Sequence, residues 1–298
     1  PFARWQDQVI SNKERYAKLV DDLQDIARAN LIYGMHVHVG IEDKDEAMAV
    51  FNSARYFLPH LLALSTSSPF FDGRMTGLKS SRTSIFSRLP RTGIPGRFAS
   101  YHEYESFVST LVKTGSIDDG ARIWWDLRPH PRFSTLEFRI CDLPTRVDDV
   151  IAITALVQCI VAKLSWLHQN NQSWQHHRFE LIRENKWRAA RYGSSGPLID
   201  FGKRCELDFA DVVAEMVNLV SDVADDLGCT EELNHLHTIV ERGTSADRQI
   251  EVYKNSGGDL KAVVDFILDE TVVGLNLGQV LKDEPVIYNS TPPMPSSH

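Results

Sequence analysis

The alternation of apolar and polar positions is clearest from Ala121 to Asp142, ARIWWDLRPHPRFSTLEFRICD. At the two-residue period of a strand, Thr135, Glu137 and Arg139 share one face, and Leu136, Phe138 and Ile140 share the other. The preceding segment repeats the division, with Arg122, Trp124, Asp126 and Arg128 opposite Ile123, Trp125 and Leu127. An antiparallel sheet commonly buries one face and wets the other. A wet face crowded with Arg, Asp and Glu marks a candidate site; the alternative for the same residues is a solvated face held by internal ion pairs.

A second alternating stretch, LIYGMHVHVGI (31 to 41), has an apolar back and carries His36 and His38 on its front. Elsewhere the period is helical. Ser11 with Glu14 and Ser100 with Glu103 have the capping-box form, and predict helices over about 11–29 and 100–114, the second stopped by Gly115. A helix over 43–56 ends or kinks before Pro59. A long helix over 146–169 carries Val150, Ile153, Leu156, Val157, Ile160 and Leu164 as its buried stripe. Further helices are predicted near 172–192, with His176 and His177 on its polar surface, and near 206–227, 230–242, 246–255 and 259–273. From 65 to 100 the chain is rich in Ser, Thr, Gly, Pro and Arg, and a loop of that length is more often functional than idle. The expected fold class is α+β: a single domain over 1–275, with an antiparallel sheet whose polar face carries the site, helices on its back and a helical C-terminal half. The Pro- and Ser-rich 276–298 reads as a flexible tail.

Composition narrows the partners. The chain has 298 residues, 43% hydrophobic and 24% charged, the balance of a soluble globular protein. A net charge of −8 lacks the basic footprint that nucleic-acid binding needs. Four cysteines without a CxxC read as reduced thiols, no apolar run reaches the roughly 18 to 20 residues of a membrane span, and no signal sequence opens the chain. Together these predict a cytoplasmic protein that meets neither nucleic acid nor membrane. The chain starts at Pro1 rather than Met, and an upstream portion is expected to be missing.

The common phosphate-binding and nucleophile-elbow motifs are absent. His36 and His38 lie about 6 to 7 Å apart by strand rise, a spacing open to joint metal ligation or to hydrogen bonding alone. Glu137 adds a hard oxygen ligand of the kind Mg²⁺ takes, and the surrounding arginines offer forks for carboxylate or phosphate. Between two predicted helices, Arg242, Thr244 and Arg248 could close over a substrate, or Thr244 or Ser245 could simply cap the next helix.

Five stretches together resemble one family: GMHVHVGIED (34–43), SSPFFDGRMTGLKSSRTSIFSRLPRTGIP (67–95), ARIWWDLRPHPRFSTLEFRICD (121–142), ENKWRAARYG (184–193) and ERGTSADRQ (241–249). This is the carboxylate-amine ligase family, the bacterial type 2 glutamate-cysteine ligases, related in fold to glutamine synthetase and the guanido kinases. The resemblance implies an enzyme that uses ATP and Mg²⁺ to convert a substrate carboxylate to an acyl phosphate, which an amine attacks to give an amide, often γ-glutamylcysteine. It further implies His36 and Glu137 as metal ligands, Arg139 and Arg128 as catalytic cations, Arg82, Arg91 and His38 toward the amino-acid substrate, and Asn185 and Arg191 toward the nucleotide. The family's opening G-x-E-x-E strand has no counterpart before Leu31, so further metal ligands are expected upstream of Pro1, and the sheet edge left open could pair with another copy as a homo-oligomer. A relative that binds nucleotide or amino acid without turnover is the alternative.

Overall fold

The computed structural model describes residues 3–275, so the tail expected over 276–298 lies outside the described residues. Its central sheet has three antiparallel strands, Val37–Gly40, Thr135–Phe138 and Leu127–Pro129, with Thr135–Phe138 in the middle. Phe138 pairs with Val37 and Leu127, while Glu137 pairs with His38 and Arg128. The two-residue period therefore stacks Val37, Leu127, Leu136 and Phe138 into one core, all at most 7% exposed, and puts His38, Glu137 and Arg128 in a row on the other face.

Helices Lys44–Ala54 and Val147–Gln169 cover the apolar back. The first is opened by Asp43, whose Oδ1 accepts the Glu46 N–H at 2.8 Å. Pro59 kinks nothing: the chain passes through a short 3₁₀ turn, Arg55–Phe57, and Pro59 sits in the first turn of a new helix, Leu58–Ser65, where its missing N–H costs little. Val147–Gln169 corrects the expectation that no span-like run occurs, since by length and composition it could cross a membrane. Half of its apolar window is buried, packed against helices Lys44–Ala54, Phe209–Leu227 and Thr230–Arg242.

Other elements depart from the pattern for local reasons. The Ser11 capping box is not made; the first helix is Glu14–Leu23, and Gln24 at φ 49° breaks it from Asp25–Arg28. Ser100 does cap Tyr101–Lys113, accepting the Glu103 N–H at 3.2 Å while Glu103 returns a carboxylate to Ala99 N. The helix predicted from 172 begins only at Phe179, so His176 and His177 lie in an irregular connection. The presumed loop 65–100 contains helix Ser81–Phe86 and two-residue strands, and a hairpin of Leu198–Asp200 with Cys205–Leu207 precedes Phe209–Leu227.

Candidate active site

Glu137 is the centre of the polar face, 2% exposed. Arg128 donates from Nε to its Oε2 at 2.6 Å, Arg139 donates from Nη1 to its Oε1, and His36 Nδ1 and His38 Nε2 lie 3.3 and 3.7 Å from Oε1. Burial pushes the Glu137 carboxyl up, but the His36 contact and the charges of Arg139 and Arg128 overcome it and hold the group well below the usual carboxylate range. His36 gains from its bond to Glu137, yet burial and the neighbouring Arg139 and Arg82 leave it below the ordinary imidazole value. Two guanidiniums thus share one carboxylate, beside an imidazole biased toward neutrality.

The arginines are held from behind. Arg128 Nη1 donates to the carbonyl of Ala121 at 2.9 Å, using the turn Gly120–Arg122 as a backstop. Arg139 continues past the strand, its backbone N–H bonded to the Asp126 carbonyl at 2.8 Å, and its Nε is buried without a partner. Arg82, 4% exposed, donates to the carbonyls of Arg139 at 2.9 Å and Ile140 at 3.1 Å. Gly34 passes directly over its guanidinium, where a Cβ would stand 2.3 Å from Nη2. Arg82 sits 3.9 Å from Asp142, a carboxylate that also accepts from Ser67 N, Ser68 Oγ and Ser80 Oγ at 3.0, 2.7 and 2.8 Å. Burial raises the Asp142 pKa in spite of these donors. Arg82 and Asp142 also line a mainly apolar cavity of 680 Å³, with Tyr33, Ser68, Phe70 and Arg146 among its walls.

Sequence comparison agrees with this architecture. A model of glutamate-cysteine ligase family 2 matches residues 1–265. The chain belongs to this family. Relatives of this family member from Solibacter usitatus and Sorangium cellulosum, both provisionally named glutamate–cysteine ligase 2, are 51% and 52% identical over 275 residues, covering 92% of this chain and 71% and 73% of theirs. A crystal structure of glutamate–cysteine ligase from Francisella tularensis in complex with AMP shares the fold at a TM-score of 0.54 and 15% identity, covering 92% of this chain and 62% of that one.

Within the family member, the candidate residues divide. His36, His38, Arg128, Glu137 and Arg139 gather on one face, and Arg82 adjoins them. Arg91 does not join: it donates to the Arg122 carbonyl at 3.0 Å and lies against the Trp124 ring. Asn185 is fully buried and both ends of its amide bond the backbone of Ile199, each at 2.8 Å, so it fastens the hairpin. Arg191 stands on the exposed side of helix Phe179–Tyr192, over the Tyr192 ring. The Arg242–Arg248 segment is a structural joint: Thr244 and Asp247 form a capping box, and Arg242 and Arg248 flank the buried Asp149 at 2.6 and 3.6 Å.

A divalent cation does not fit the donor set found here. Mg²⁺ takes several oxygens, whereas Glu137 is the one carboxylate of this cluster and is already shared by two arginines; among the described residues no group of three or more His, Cys, Asp or Glu could hold a metal. Alternation alone could not have flagged Asp142 or Lys186. Lys186 pairs with Asp126 at 2.6 Å across 60 residues, a contact only tertiary packing creates.

Proposed function

We propose that residues 3–275 act as one catalytic domain of an ATP-dependent carboxylate-amine ligase in a glutamine-synthetase-like arrangement, joining glutamate to cysteine. The observation that carries this reading is the excess of buried guanidinium over carboxylate on the sheet face, bordered by a cavity of 680 Å³, within the range of small-molecule pockets. In the reaction, a substrate carboxylate oxygen takes the terminal phosphoryl group of ATP and ADP leaves; the amine nitrogen then bonds to the acyl carbon, losing a proton as phosphate departs. Negative charge spreads over the phosphoryl oxygens in the first step, and cations fixed beforehand stabilise it without reorganising.

Arg139 is assigned that work: it stands beside Glu137 and His36 on the polar face, and its side chain keeps 11% of its surface exposed. Arg128 shares Glu137 with it and keeps the carboxylate ionised. Arg82 positions Arg139 through its carbonyl and, with Asp142 beside it, joins the cluster to the cavity wall. His36 and His38 border the cluster as polar contacts for the substrate. The AMP held by the Francisella protein supports nucleotide use by this fold; His36 and Glu137 by themselves fall short of a Mg²⁺ site, so the roles above rest on the arginines.

The test is ADP release by the whole chain with ATP, Mg²⁺ and glutamate, with and without cysteine. Cysteine-dependent ADP together with γ-glutamylcysteine supports the ligase. ATP or glutamate binding with no amine-dependent ADP would replace it with the non-catalytic binding relative.

A further inference from the structure

Away from the Glu137 cluster, Arg55 presents an unbalanced charge. It is 4% exposed, with its Nε enclosed, and among the described residues its side chain has no hydrogen bond and no ion pair. A guanidinium removed from water without an acceptor is among the costliest arrangements a fold can hold. Every other strongly buried arginine here has oxygen partners: Arg82 has two carbonyls, Arg128 a carboxylate and carbonyls, and Arg248 a carboxylate.

The surroundings add positive charge. The Asn52 side chain clamps the backbone of Phe98, with bonds of 2.7 and 3.2 Å, which sets Arg97 beside the turn that begins at Arg55. Tyr56 holds the rings of Trp174 and His177 at 5.8 and 5.0 Å, which brings His176 to the same place. Arg97 and His176 are exposed, and both stand close enough to Arg55 for their charges to act on one another. Burial first, and then the charge of Arg97, holds the Arg55 pKa down, and His176 is lowered by burial and by both arginines; no carboxylate offsets Arg55.

We propose that Arg55, Arg97 and His176 form an oxyanion site for a phosphate-class dianion, distinct from the candidate active site. Two fixed guanidiniums call for two negative charges, which a phosphate supplies and a single carboxylate does not, and the planar forks match phosphate oxygens in bidentate fashion. The site shares no residue with the Glu137 cluster.

Thermal unfolding of the whole chain in inorganic phosphate, against sodium chloride at matched ionic strength, tests it. The expected result is a saturable rise in Tm of roughly 2 to 4 °C at ten times the dissociation constant. That rise should fall by at least half in Arg55→Met and shrink in Arg97→Gln, whose exposed side chain poses no folding risk, and it should persist in Arg139→Gln. In chloride, Arg55→Met should be as stable as the parent or more so, because a buried unpaired charge has been removed. Glycerol phosphate separates the sources: a rise exceeding that with inorganic phosphate assigns an organic monoester, and an equal rise assigns free phosphate. Identical Tm in phosphate and chloride would overturn the proposal, as would a full phosphate response in Arg97→Gln or one abolished by Arg139→Gln alone.

Discussion

Glu137→Gln is the sharpest perturbation of this face, because the amide keeps the shape of the carboxylate and deletes only its charge. The side chains of Arg128 and Arg139 are 7% and 11% exposed, so the change strands two guanidiniums in a poorly solvated place. Breaking a buried ion pair on one side costs about 3 to 5 kcal/mol, whereas an exposed pair is worth about 0 to 1. For a chain of this size the buried value translates to a Tm lower by about 5 to 8 °C. Adding Arg128→Met to Glu137→Gln should return much of the loss, since an apolar replacement of a buried pair is often neutral. The pH dependence has a fixed sign. The Glu137 pKa is depressed in the folded state, so its contribution is fully present above the unfolded value of about 4.3 and fades as pH falls toward the folded one. The stability gap between parent and variant should therefore narrow from pH 6 to pH 3. Chemical denaturation across that range measures it. A gap below about 1 kcal/mol at pH 7 would show that the face is merely a solvated set of ion pairs, and the argument for a preorganised cationic site would fail with it.

Other outcomes follow from single side chains. His60 is 3% exposed, and burial pushes its pKa down to about 4. The unfolded imidazole binds a proton near pH 6.5, so this residue should cost about 3 kcal/mol of stability between pH 7 and pH 4, a loss that His60→Leu removes in denaturation curves taken at the two pH values. Gly34→Ala would drive a methyl group into the Arg82 guanidinium; a loss of about 1 to 3 kcal/mol in stability is expected, with a raised KM for the carboxylate substrate in the ligase assay. Asn185→Ala should cost roughly 2 kcal/mol by orphaning the Ile199 backbone, and should leave the KM for ATP unchanged; a selective rise in that KM would restore Asn185 to the nucleotide site.

The fold was legible wherever one period dominated. Leu136, Phe138, Ile153 and Leu156 fall where alternation or the helical stripe puts them, whereas Val150 at the start of that stripe is only half-buried and borders the cavity. What failed was local punctuation. Ser11 lies three residues before the helix that it was expected to cap, and the polar run 172–178 satisfied a helical reading while its rings pack instead against Tyr56. Strands of two or three residues outside the long alternating stretches, such as Arg74–Met75 and Cys205–Leu207, leave too few positions for a period to show. The site was legible in the same measure. Face-sharing identified Arg128, Glu137 and Arg139, which are neighbours across the sheet, but Arg91, Asn185 and Arg191 came from motif position alone, and packing gives them other neighbours.

Charge balance on the sheet face bears on what can bind there. Arg82 has Asp142 at 3.9 Å, so that pair is close to neutral. Arg128 and Arg139 face Glu137 alone, which leaves one positive charge in excess, and His36 is biased toward its neutral form and adds none. A carboxylate or phosphoryl group entering here completes the balance and gains charge-assisted hydrogen bonds from donors already in place. A cation entering alone must first take Glu137 from two arginines, and would leave both unpaired. On the proposed ligase reading, the anionic substrate should therefore bind this face without added metal. Titration calorimetry with glutamate in EDTA measures that affinity; weak binding restored only by Mg²⁺ would place the missing charge balance on the metal instead.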